Sequence, residues 1–155
     1  MAVEIERKFR VVGDGWRAQV GRARRIRQAY LALNERVSIR VRISDDETAT
    51  LTIKTVAAGT TRDEFEYAIP VADAEALVLR RQGAVIAKTR HEVEIAGLVW
   101  EIDVFEGDNA GLVLAEIELD RADRPIDLPD WIGAEVTHDR RFYNAELAQR
   151  PFGRW

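Results

Sequence analysis

Arg36-Val37-Ser38-Ile39-Arg40-Val41-Arg42-Ile43-Ser44 alternates apolar and polar residues with a period of two. An extended strand puts residues two apart on the same side, so Ile39 and Val41 share one face while Arg40 and Arg42 share the other. The same period runs through most of the chain. Upstream, Val3 to Val12 sets Val3, Ile5 and Phe9 against Glu4, Glu6 and Lys8, and Ile26 to Leu33 forms a hairpin with the quoted stretch through Asn34-Glu35. Downstream, the polar turn Asp45-Asp46-Glu47 leads into Thr48 to Thr55, and Ala58-Gly59 separates that run from Thr61 to Ile69. Strands resume at Val85 to Glu94, turn at Ala96-Gly97, return over Leu98 to Phe105 and end with Leu112 to Asp120.

Helical segments are expected near Asp14 to Val20, over Asp73 to Gln82 with Asp73 as cap and Gly83 as stop, at Pro129 to Ile132, and from Asp139 to Ala148 with Thr137, His138 or Asp139 as cap. The expected fold is therefore mainly β (α+β), with about eight antiparallel strands and a few flanking helices including a C-terminal one, in a single domain over 1–155.

Composition narrows the chemistry. The chain has 155 residues, 46% hydrophobic and 32% charged, enough apolar material for a core. Without cysteine it has no disulfide, thiolate metal site or cysteine nucleophile, and two histidines, His91 and His138, do not make a histidine zinc site. A metal would be a hard, oxygen-bound ion such as Mg2+ or Mn2+. The net charge of −4 argues against general nucleic-acid binding. No signal-like or membrane-spanning apolar run is present, so a cytoplasmic protein without a membrane partner is expected; a homodimer is left open.

The charged strand faces carry the functional signal. Arg40 and Arg42, Lys88 and Arg90, Glu64 and Glu66, Glu101 and Asp103, and Glu116 and Glu118 are doublets of one sign, and Lys54 faces the same way as Thr50 and Thr52. Each opposite face is apolar, as with Leu51 and Ile53, Phe65 and Tyr67, or Trp100 and Ile102. An ordinary half-exposed sheet would turn such charges to water. Like charges side by side repel, however, and a bare surface gains nothing from them. About eight strands is also the number at which a closed barrel holds one small ligand. Turned inward, the acids Glu4, Glu6, Glu64, Glu66, Glu101, Asp103, Glu116 and Glu118 would meet the bases Lys8, Arg40, Arg42, Lys54, Lys88 and Arg90 in a wet lumen. Bases from several strands suit a compact polyphosphate and clustered carboxylates suit a divalent cation, together a site for phosphoryl transfer to water.

In this order the residues resemble the CYTH superfamily, the triphosphate tunnel metalloenzymes. Glu4-Ile5-Glu6-Arg7-Lys8 resembles its E-x-E-x-K opening, Gln28-Ala29-Tyr30-Leu31 its Q-x-Y-L strand, and Arg40-Val41-Arg42 its R-x-R strand. Lys54, Glu64-Phe65-Glu66, Lys88-Thr89-Arg90, Glu101-Ile102-Asp103, Glu116-Ile117-Glu118 and Asp139-Arg140-Arg141-Phe142-Tyr143-Asn144 follow. The resemblance implies a closed eight-stranded antiparallel tunnel around a triphosphate. It implies Lys8, Arg40, Arg42, Lys54, Lys88 and Arg90 on phosphates, Glu4, Glu6, Glu116 and Glu118 on metal, and Glu64, Glu66, Glu101 and Asp103 as secondary acids. Lys8 and Tyr30 are the implied catalytic pair.

The implied activity is a metal-dependent triphosphatase, with inorganic tripolyphosphate as the first expectation because lean loops leave no obvious base or thiamine pocket. Class IV adenylate cyclase and thiamine triphosphatase are the alternatives within the family, with Trp16 or Trp131 as conceivable ring partners. A non-catalytic polyphosphate-binding module is the alternative of another class.

Overall fold

β-Branched residues at alternate positions and short polar turns dispose a chain to hairpins. The computed structural model, which describes residues 5–56 and 62–155, contains nine strands in one sheet. They are β1 (Ile5–Val11), β2 (Arg22–Leu33), β3 (Val37–Ser44), β4 (Thr48–Val56), β5 (Arg62–Ile69), β6 (Gln82–Ile95), β7 (Leu98–Glu106), β8 (Val113–Leu119) and β9 (Ile132–Glu135), with helices α1 (Val71–Val78) and α2 (Asn144–Gln149). The spatial order is β5-β4-β3-β2-β6-β7-β8-β1-β9, antiparallel throughout.

The expected hairpin turns form. Asn34 Oδ1 accepts from the amides of Arg36 and Val37 at 2.8 and 3.0 Å. Asp45 and Asp46 both take positive φ, as do Ala96 and Gly97, the handedness that suits the twist of paired strands. The expected turn at Ala58-Gly59 lies outside the described residues.

The sheet's two faces are buried by different means. On its outer face, Phe9, Trp100, Ile102 and Ile117 pack under Trp16 and Trp131. The Trp100 ring meets Phe9 and Trp131 edge-on, at 5.6 and 5.7 Å between centroids. Elsewhere on that face Val41, Ile43 and Ala49 lie beneath Ala74 and Val78 of α1. The inner face has its own apolar end, where Ile86, Phe105 and Leu114 pack against Phe142, Leu147 and Ala148 of the C-terminal segment. Trp16 and Trp131, at 1% and 6% exposure, are thus committed to the outer core and have no free ring face for a ligand.

The expected closed eight-stranded barrel is here an open, nine-stranded sheet. Its end strands are β5 and β9, and among the described residues these two do not pair. Pro129 to Ile132, expected to be helical, are not: Val12 donates to the Trp131 carbonyl at 2.8 Å, and Ile132–Glu135 pairs with β1 as the added edge strand β9. The C-terminal helix is also divided. Asp139 caps a 3-10 turn (Arg140–Phe142) by accepting from the Arg141 amide, Tyr143 is extended, and α2 follows. Helix α1 begins at Val71 behind Pro70 rather than at Asp73, because the fixed φ of proline already suits a helix entrance.

Gly83 joins these layers. Its φ is +73°, and a Cβ there would lie 2.5 Å from the Ala148 carbonyl oxygen of α2. Gly83→Ala is expected to cost about 2 kcal/mol or more through left-handed strain and the clash, lowering the melting temperature by roughly 4–8 °C. An unchanged thermal melt would show that α2 does not seat against β6 in this way.

Candidate active site

Strand register assembles the inner ionic face. Lys8 on β1 lies opposite Glu116 on β8, which lies opposite Glu101 on β7, and Glu6 lies opposite Glu118. Arg90 on β6 faces Asp103 on β7. On the other half of the sheet, Arg40 and Arg42 of β3 stand between Tyr30 and Gln28 of β2 and Thr52 and Thr50 of β4. A cavity of about 380 Å³ is lined by Glu6, Lys8, Tyr30, Arg40, Arg42, Lys54, Arg90, Glu101, Glu116 and Glu118. Ionised side chains from six strands and a tyrosine from a seventh thus meet at one concave surface.

Other implied residues lie elsewhere. Lys88 and Asp103 sit beneath the cavity wall, their side chains 0% and 1% exposed and 2.8 Å apart, so Lys88, expected on phosphate, is paired internally with Asp103. Glu64 and Glu66 share the inner face through their register with Lys54 and Thr52, yet they are exposed on edge strand β5 and outside the cavity, because the sheet does not curl far enough to carry them in. Glu4 lies outside the described residues. His138 does not line the cavity, and His91 packs on the outer side against Trp16, 4.9 Å between rings.

The two walls differ in charge balance. Arg90 donates to both Asp103 oxygens at 2.8 Å and to Glu101 at 3.2 Å, and Lys8 reaches Glu116 at 3.2 Å. Although burial opposes it, the Lys88 ammonium and the Arg90 guanidinium hold the Asp103 carboxyl well below the usual carboxylate range. Across the cavity, Arg40, Arg42 and Lys54 have no carboxylate partner among the described residues. Burial, with Arg40 and Arg90 nearby, pushes Arg42 down to about 10. Burial likewise raises the Tyr30 phenol, with Arg40 acting in the opposite sense, so the hydroxyl stays protonated at neutral pH.

Sequence reading overlooked the neutral residues of the C-terminal segment. Thr137, Tyr143 and Asn144 line the cavity; Thr137 Oγ1 accepts from the Lys8 amide at 3.1 Å, and Asn144 Oδ1 accepts from Lys88 Nζ at 3.3 Å. The Phe142 carbonyl accepts from Lys8 Nζ at 3.2 Å. Uncharged, and within a stretch expected to be one helix, they carried no charge pattern to mark them.

Residues 2–143 match the CYTH domain. The chain belongs to the CYTH family. Relatives of this CYTH domain include the inorganic triphosphatase of Acetivibrio thermocellus, 41% identical over 98% of this chain and 97% of that protein. Another is the inorganic triphosphatase of Nitrosomonas europaea, 35% identical over 94% and 96% of the two chains. A crystal structure of an inorganic triphosphatase superposes with a TM-score of 0.74 at 33% identity, covering 96% of this chain and 95% of the other.

Among the described residues no three acids are gathered closely enough to hold a metal ion as they stand. The donor chemistry nonetheless fits a hard cation: Glu6, Glu116 and Glu118 offer oxygens from adjacent strands. Desolvation, Glu116 and Glu118 together raise the Glu6 carboxyl above its usual value, a crowding that a divalent cation would relieve.

Two outcomes test this account. A carboxyl raised by folding costs stability once ionised, so Glu6→Gln should raise the metal-free melting temperature at pH 7, by on the order of 2 °C. The gain should fade as pH falls through the raised value and be gone below 4.5, the ordinary value, where the carboxyl is protonated in the folded and unfolded chain alike. A lower melting temperature at pH 7 would show that Glu6 is stabilised by partners rather than crowded. Asp103→Asn strands Lys88 and Arg90 without their shared counter-ion and should cost about 3–5 kcal/mol in denaturant unfolding; a loss below about 1 kcal/mol would remove Asp103 from the centre of the network.

Proposed function

We propose that this CYTH domain is a triphosphatase that hydrolyses inorganic tripolyphosphate with the help of Mg2+ or Mn2+. One observation carries this reading: a single cavity has on one wall cations that are not ion-paired among the described residues, and crowded carboxylates on the other. Arg40, Arg42 and Lys54 are free to spend their full charge on phosphate oxygens. Glu6, Glu116 and Glu118, with Glu4 from the same signature, would hold the metal, which when bound would neutralise phosphate charge and favour attack by water.

The remaining residues have definable roles. Arg90, already anchored by Asp103, would present its guanidinium from the floor. Lys8, aimed by Glu116 and the Phe142 carbonyl, would place a cation beside the reacting phosphate. Tyr30, kept as a phenol, would donate a hydrogen bond to a phosphate oxygen rather than act as base. Lys88 and Asp103 would order this array from behind, Glu101 would hold Arg90 from the cavity wall, and Glu64 and Glu66 would border the open side.

The triphosphatase names of the relatives at 41% and 35% identity support this reading over the cyclase or thiamine alternatives. So does the burial of Trp16 and Trp131 away from the cavity. A mere phosphate binder gains nothing from carboxylates crowded beside its ligand.

Phosphate release should be measured on tripolyphosphate, ATP, thiamine triphosphate and pyrophosphate, each with Mg2+ or Mn2+. Tripolyphosphate is expected to turn over fastest, and only with metal. Arg40→Ala should raise KM about tenfold or more, the worth of one charge-assisted contact. Tight binding of tripolyphosphate without release would identify a binding module instead, and faster turnover of ATP would point to a nucleotide substrate.

A further inference from the structure

The cations of the cavity are held in two chemically different ways. Arg90 and Lys8 are aimed by carboxylates, which orient a cation and cancel its charge together. Arg42 and Arg40 are aimed by neutral oxygens. Arg42 Nε donates to Gln28 Oε1 at 2.9 Å, and Arg40 Nη2 donates to Thr52 Oγ1 at 3.4 Å. Each acceptor lies directly across from its arginine on the adjoining strand, Gln28 on β2 and Thr52 on β4. Both are buried, at 0% and 2% exposure, so neither is a chance surface contact.

Stability alone would favour a carboxylate at these positions, since a half-buried guanidinium gains most from a paired charge. Position 28 holds instead the amide that matches glutamate in shape. Among the described residues, Gln28 Nε2 and Arg40 Nε are buried without a partner. Two arginines on one face of β3 are thus held by neutral oxygens and, among the described residues, are not ion-paired to any carboxylate.

We propose that Gln28 and Thr52 are positioning residues whose neutrality sets the affinity for the triphosphate: they aim Arg42 and Arg40 into the cavity without quenching them. This rests on the triphosphatase reading above. A glutamate at position 28 keeps the acceptor oxygen and the shape but consumes the charge of Arg42. Fold stability and substrate affinity should therefore move in opposite directions, which a purely structural role for Gln28 does not allow.

The test is a set of variants measured by thermal melting without ligand and by steady-state kinetics on tripolyphosphate with Mg2+. Gln28→Glu is expected to melt at or above the wild-type temperature while its KM rises about tenfold or more, with kcat changing much less. Gln28→Leu should raise KM without the gain in melting temperature. Thr52→Val should raise KM by a smaller factor, in keeping with its longer bond, and Thr52→Ser should recover most of that loss. A Gln28→Glu protein with wild-type KM overturns the proposal, and so does one whose melting temperature and affinity fall together. Should Gln28→Glu not fold, Thr52→Asp sets the same charge beside Arg40 and carries the same expectation. A wild-type protein inert towards tripolyphosphate would instead fail the triphosphatase reading itself and take this inference with it.

Discussion

A buried carboxylate with two cations on it organises the inner face of this sheet. Asp103 accepts from both Lys88 and Arg90, with Lys88 Nζ and two Arg90 nitrogens each at 2.8 Å, and nothing larger than a trace of its side chain meets water. Three charges removed from solvent are tolerable only when they satisfy one another, because a lone buried ion costs several kcal/mol. Once they do, their positions are dictated. Arg90 is held at the cavity floor, and Lys88, buried beneath the wall, donates to Asn144 at the start of α2. The same interaction therefore fixes the ionic floor and ties to it the C-terminal segment that lines the cavity beside it.

Around that centre, the fold inverts the usual arrangement of a two-faced sheet. The apolar faces of the strands point outward and acquire cover: a tryptophan-bearing turn and loop over β1, β7 and β8, and α1 over β2, β3 and β4. The interior is apolar at one end and ionic in its middle. This explains why the chain keeps short helices and tryptophans on its outside. The hydrophobic stabilisation a barrel normally draws from its lumen is drawn here from the exterior, and the lumen is left to chemistry. At β5 that cover runs out, and Phe65 and Tyr67 remain 48% and 55% exposed.

The charge asymmetry of the cavity follows from strand order. β2, β3 and β4 contribute cations, tyrosine and neutral acceptors, whereas β1, β7 and β8 contribute the carboxylates. β6, between the two groups, carries Arg90 and Lys88 and is the seam at which they meet. In the triphosphatase reading proposed above, a polyanion and a divalent cation would attract each other as well as their own walls, so the two halves would take ligands that complete one another.

The chain's own alternation was sufficient to show the strands, the hairpin turns at Asn34, Asp45 and Ala96, and the division of each strand into an ionic and an apolar face. These are local matters: a period of two has one structural meaning, and a left-handed turn needs particular residues at particular places. The CYTH identity was legible for the same reason, since an ordered series of doublets survives in linear sequence. Which doublets would reach the ligand was not legible. Lys88 and Arg90 form one doublet on one face, yet one is sealed beneath the wall and the other lines it, because α2 covers only the first. Glu64 and Glu66 have the right face but lie on an edge that the sheet's curvature leaves outside. Pro129 to Ile132 read as helix, whereas Ile132–Glu135 pairs along the edge of β1. Local sequence determines which way a side chain leaves its strand; only the tertiary structure decides what lies above it, because depth and cover come from residues far away in the chain.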